Sequence, residues 1–288
     1  MPRQRCGRAR LESRTRVSVV GVAALNDTLQ TRLLAAGVDP AGLRGGALDP
    51  WEAWLRLRAR WGRRATLVDL YELEAACRGI RLEQLTAADR ERLKVVSRHA
   101  RRDQVEVVPG SGRSGDPHEV NGYDPAWPGC FGAWHRRLAT TLGDAAARID
   151  HIGSTSVPGL AAKPVIDIQV SVPDVGDERS FLRRVESAGL VLRLRERGHR
   201  LLWPPAAKLR EVHVHICGCG STWERDHLLF RDYLRAHPAA CHSYAALKRE
   251  LITRWRHDRK AYGEAKTGFV LDALADAAHW AAATGWLP

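Results

Sequence analysis

One carboxylate inside a short apolar strand, directly behind a turn of small hydroxyl residues, constrains this chain more than any other feature. The stretch is HIGSTSVPGLAAKPVIDIQV, from His151 to Val170. Glycine lets a backbone approach a ligand closely, and consecutive amides beside hydroxyls can hold an anion; Gly153, Ser154, Thr155 and Ser156 supply both. In a strand, Asp167 and Gln169 share a face with Val165, while Ile166, Ile168 and Val170 line the other. An aspartate there is costly to bury unless it is paired, metal-bound or at a rim. One reading makes turn and carboxylate a single ligand-binding unit, with Lys163 placed to contact phosphate or neutralise Asp167. The plainer alternative is a turn followed by a core strand with one solvated aspartate.

A second polar strand face is expected at EVHVHIC. There Glu211, His213, His215 and Cys217 face together and Val212, Val214 and Ile216 face the core. His213, His215, Cys217 and Cys219 are crowded enough to raise a zinc site. The CxC spacing is not that of paired knuckles, however, and the first three groups project in parallel rather than around a centre. Histidines lining a phosphate or carboxylate pocket are the preferred reading, with Cys217 packing at its edge. Cys77, Cys130 and Cys241 fall in amphipathic helical segments as buried thiols, and the six cysteines are too scattered for a disulfide scaffold.

The 288 residues suffice for one large domain or two ordinary ones. Residues 1–16 read as a flexible basic tail, and 17–100 as a small, mainly helical domain. Asp49 and Pro50 make a helix entry before a stripe of Trp51, Trp54 and Trp61 expected in the core. Residues 101–120, centred on PGSGRSGDPHE, read as a linker, and 121–288 as the domain bearing the site. The net charge of +12 favours anionic partners. Residues 1–116 hold 22 of the 45 basic but only 14 of the 33 acidic residues, so the suggestion of nucleic-acid binding belongs to the N-terminal half. No apolar run is long enough to span a membrane and none near the start resembles a secretory signal, so a cytoplasmic protein is expected.

The segments YDPAWP (123–128), HIGSTSVPGLAAKPVIDIQV (151–170), EVHVHIC (211–217), LFRDYLRAHP (229–238), YAALKRE (244–250) and YGEAKTGFV (262–270) together resemble the GrpB (UPF0157) family. The resemblance covers about Asn121 to Trp286 and implies an α+β, nucleotidyltransferase-like fold, a mixed sheet flanked by helices. It matches Gly153 and Ser154 to the turn that begins the nucleotidyltransferase signature and Asp167 to its first metal-binding carboxylate. The second acidic position is Gln169, which brings no charge to a metal. Glu211 is then the candidate third acid. The implied arrangement puts nucleotide phosphates over Gly153 to Ser156. Asp167 and Glu211 would hold Mg²⁺, and Lys163 or Lys266 would stabilise phosphate while an acceptor hydroxyl attacks. His151, Gln169, His213, His215, Arg231 and Lys248 would line the pocket. The expected ligand is a nucleoside triphosphate or another phosphorylated small molecule. The alternative is a noncatalytic adaptor or regulatory protein whose N-terminal half selects a protein or nucleic-acid partner.

Overall fold

The computed structural model describes residues 25–44, 48–99, 105–108, 119–205 and 212–288. The basic tail read at residues 1–16 and Glu211 lie outside them. The N-terminal half is helical: α1 (Asp27–Ala35), α2 (Pro40–Arg44), α3 (Pro50–Trp61), α4 (Leu67–Cys77) and α5 (Ala87–His99). Asp49 caps α3 by accepting from the Trp51 amide at 2.6 Å. Thr86 and Asp89 cap α5 reciprocally, each backbone amide donating to the other's side chain at 3.0 and 3.1 Å. Trp54 is fully buried, its indole N–H on the Thr66 carbonyl at 2.7 Å, and Trp51 and Trp61 pack against the same core.

Among the described residues, the second half is built on six strands: β1 (Val105–Val107), β2 (Arg148–Ile152), β3 (Ile166–Val172), β4 (Val191–Glu196), β5 (His199–Trp203) and β6 (Val212–Gly218). Their spatial order is β1-β4-β5-β6-β3-β2. Only β3 and β6 pair in parallel; the other neighbours are antiparallel. The sheet is therefore mixed and the fold α+β, as expected. Val105–Val107 falls inside the segment read as a linker. Its backbone pairs with β4 instead and forms the sheet's edge.

Helices α6 (Trp127–Leu142) and α7 (Glu178–Ser187) cover one sheet face, where Ile166, Ile168, Val170, Val212, Val214 and Ile216 meet Leu138, Leu142, Phe181 and Val185. The opposite face carries Asp167, Gln169, His213 and His215. It is covered by α8 (Thr222–Ala236), followed by α9 (Pro238–Trp255), α10 (Arg259–Ala265) and α11 (Thr267–Thr284). The N-terminal helices do not pack alone. Their core takes in Leu251 and Trp255 of α9 and Ala261 and Tyr262 of α10. Asp258 receives the Tyr71 hydroxyl at 2.9 Å and the Lys94 ammonium at 3.2 Å, and it also caps α10 through the Ala261 amide at 3.0 Å. Among the described residues, no helix is long and apolar enough to cross a membrane.

Candidate functional site

Gly153 fixes the turn against the strand. It has φ +68° and ψ −171°, a region that residues with a Cβ scarcely enter. A Cβ there would overlap Asp167 Oδ2 and stand 3.0 Å from Asp167 Cβ and 3.1 Å from its Cγ. The glycine is what lets the turn close over the aspartate.

Of the hydroxyls behind it, only Ser154 faces the cationic side of the cleft. Thr155 donates to the Val165 carbonyl at 3.1 Å and Ser156 to that of Gly153 at 2.6 Å. Both are buried and engaged in holding the turn, which corrects the expectation that their hydroxyls would meet phosphate. Ser154 Oγ instead accepts from Lys248 Nζ at 2.9 Å, and the same ammonium donates to the Ala161 carbonyl. Lys248 is 2% exposed and lies 4.6 Å from the Tyr244 ring centre. Burial, then the neighbouring charge of Lys266, push its ammonium down to about 7. Lys163 and Lys266 come from different segments, yet each places Nζ 4.7 Å from the Tyr262 ring centre. Lys248 thus meets Ser154 directly, while Lys163 and Lys266 gather at Tyr262.

Next to this cationic corner, Asp167 faces two imidazoles across the parallel β3–β6 ladder. In register, Asp167 stands opposite His213, and Gln169 opposite His215. Asp167 Oδ1 lies 3.3 Å from His213 Nδ1 and 3.5 Å from His215 Nε2. Burial raises the aspartate's affinity for a proton, but the hydrogen bonds and charges of the two histidines prevail and hold its carboxyl well below the usual range. One donor atom from each of these residues lies within 4.8 Å of the others, a geometry that could hold a metal ion.

No sequence motif marks the residues behind His215. His215 Nδ1 lies 3.0 Å from His199 Nε2, and His199 Nδ1 lies 3.1 Å from Glu196 Oε2. Trp223 stacks on His199, His215 and His227, with centroids 4.6, 5.4 and 3.6 Å away. Burial holds His227 down to about 4 and lowers His199 as well. His199 was legible only as a strand residue, because its approach to His215 depends on the antiparallel β5–β6 pairing.

Several expected pocket residues lie elsewhere. His151 pairs with Ile168 in the β2–β3 ladder and so points to the opposite face from Asp167. Its ring stacks on Phe131 at 4.8 Å, its Nε2 meets Thr155 Oγ1 at 3.0 Å, and burial holds it neutral, down to about 4. Arg231 is bound to Asp232, Asp150 and the His151 carbonyl, which fastens α8 to β2 rather than opening to the cleft. Gln169 is fully buried, and neither end of its amide has a hydrogen-bond partner among the described residues. The thiols do not join the histidines: buried Cys217 sits 3.8 Å from Ser171 Oγ, and Cys219 is exposed. Cys130, expected buried, is exposed on α6. Mg²⁺ prefers an octahedron of oxygen ligands, so two imidazoles and one carboxylate suit it poorly.

Comparison with known proteins places the second half of the chain. The family model described as GrpB protein matches residues 117–276. A UPF0157 protein of Streptomyces coelicolor is 41% identical over 152 residues, 53% of this chain and 80% of that protein. The crystal structure of conserved protein GrpB from Enterococcus faecalis superposes with a TM-score of 0.50 at 33% identity. That match covers 56% of this chain and 99% of that one. A protein of Mycolicibacterium paratuberculosis named dephospho-CoA kinase is 34% identical over 191 residues, 57% of this chain but only 47% of its own length.

Proposed function

Because this chain belongs to the GrpB family, we propose that it binds a phosphorylated small molecule, a nucleotide foremost, where the 153–156 turn meets α9. The observation that carries this reading is Lys248, a buried ammonium on Ser154 Oγ with Lys266 close enough to depress it further. A buried ammonium beside a second lysine is held at a cost unless an anion joins it. A phosphate among Ser154, Lys248, Lys266 and Lys163 would relieve that repulsion and gain charge-assisted hydrogen bonds.

The name of the mycobacterial relative points the same way, toward a phosphorylated ligand. This chain matches less than half of that protein and has no GxxxxGK[ST] segment, so the name bears on the ligand class and not on kinase activity. The resemblance to nucleotidyltransferases also implies attack of an acceptor hydroxyl on the α-phosphate. Gln169 brings no charge to the second acidic position, and Asp167 is already engaged by two histidines. Binding is therefore the primary reading and transfer the secondary one.

Calorimetric titration of the full chain with ATP, GTP, CTP, UTP and inorganic pyrophosphate tests it. Loss of one charge-assisted contact is worth about 1.5–3 kcal/mol, so Lys248→Met should weaken binding by at least ~10-fold. The free protein keeps Lys248 largely neutral above pH 7 and a bound phosphate restores its charge. Binding should therefore take up a proton above pH 7, and affinity should fall as pH rises from there. Titrations in two buffers of unlike ionisation enthalpy would read that uptake. Silence with every ligand, or equal affinity in Lys248→Met, would refute the proposal.

A further inference from the structure

We propose that Asp167, His213 and His215 form a binding site for a nitrogen-preferring divalent transition metal of the Zn²⁺ class, with His199 and Glu196 fixing the ligand His215 from behind. The site adjoins the proposed phosphate corner but uses different side chains, so either can fail alone.

A chain of polar contacts runs back from the site to β5 and β4. Glu196 accepts at its carboxylate, so His199 Nδ1 carries the proton it donates across 3.1 Å. His199 Nε2 lies 3.0 Å from His215 Nδ1 and so holds that ring from behind. That leaves His215 Nε2 on the side of Asp167 Oδ1, 3.5 Å away, with one donor atom each of Asp167, His213 and His215 within 4.8 Å of one another. His213 Nδ1, at 3.3 Å from the same oxygen, offers a second nitrogen.

A carboxylate–histidine arrangement of this kind is how proteins orient metal-ligating imidazoles. Here it is extended by one ring, and Trp223 holds both rings by stacking. Donors around an ion at about 2.0–2.1 Å are separated by roughly 3.3 Å in a tetrahedron, which matches the two measured edges. Two imidazoles and one carboxylate favour zinc, cobalt or ferrous iron over magnesium. Three protein ligands leave a coordination position open, as catalytic rather than structural sites do. Gln169 lies across the ladder from His215 with its amide buried and unpartnered among the described residues, which supplies a group to bond a water or ligand on that open position.

The test is metal binding by the chelator-treated full chain in phosphate-free buffer. One equivalent of Co²⁺ should give visible d–d bands that Zn²⁺ abolishes and a large excess of Mg²⁺ does not. His215→Ala and His213→Gln should each remove the bands while retaining the wild-type thermal transition. If His215→Ala fails to fold, His213→Gln carries the test. His199→Phe leaves all three ligands in place and should weaken Zn²⁺ about 10- to 100-fold, an effect that a merely structural histidine would not produce. A Cys217→Ser, Cys219→Ser double variant should bind as the wild type does. No Co²⁺ bands, displacement by equimolar Mg²⁺, or binding that survives loss of both histidines would overturn the proposal.

Discussion

Gly153 leaves no room for a Cβ beside Asp167, so each limits what the other can be. The glycine adopts a backbone conformation close to forbidden for other residues, and its α-hydrogen points where a methyl would meet the carboxylate. Gly159 provides the contrast: its φ is +77°, but nothing lies within 4 Å of a Cβ built on it. Left-handed strain alone costs about 1–3 kcal/mol. Gly159→Ala should lose about that much in urea unfolding. Gly153→Ala should lose more and also displace Asp167, so that metal binding fails even under conditions where the protein remains folded. Equal losses in the two variants would show that the close approach is unimportant.

At the scale of elements, α10 is tied to the N-terminal helices by one aspartate. Asp258 caps α10 and receives both Tyr71 and Lys94 in a buried position. Removing one partner of a buried charge pair costs about 3–5 kcal/mol, so Asp258→Ala should lower stability by about 3 kcal/mol or more in chemical denaturation. A loss under 1 kcal/mol would mean that water replaces these bonds freely.

The elements themselves were largely legible in sequence. Asp49 and Pro50 announce α3, and the alternation in KPVIDIQV and EVHVHIC gives both strands and their faces. What could not be read was pairing. Val105–Val107 sits among residues with little packing capacity, and only its partner β4 makes it a strand. The placement of His151 depends on its register with Ile168, and that of His199 on the β5–β6 pairing. The turn does close on the strand's carboxylate, but through Gly153 and not through its hydroxyls; the inward rotation of Thr155 and Ser156 is set by bonds to the Val165 and Gly153 carbonyls that spacing does not encode.

Considered whole, the molecule has two architectural halves that share a core. Leu251, Trp255, Ala261 and Tyr262 belong by sequence to the GrpB part and by packing to the N-terminal helices. A fragment of residues 119–288 should therefore expose a contiguous apolar patch, bind a hydrophobic dye and lose its sharp melting transition. Full-length stability in that fragment would show the N-terminal helices to be dispensable cover.

The course of α9 gives this arrangement a further meaning. Lys248 stands at Ser154, and Leu251 and Trp255, three and seven residues on, are set in the N-terminal core. At about 1.5 Å of rise per residue, the cleft and that core are barely 10 Å apart along one rigid rod. That span of the helix is held at Lys248 by Ser154 and Ala161 and at Trp255 by the N-terminal core. A shift of the N-terminal helices is therefore expected to reach the lysine and change where its charge sits.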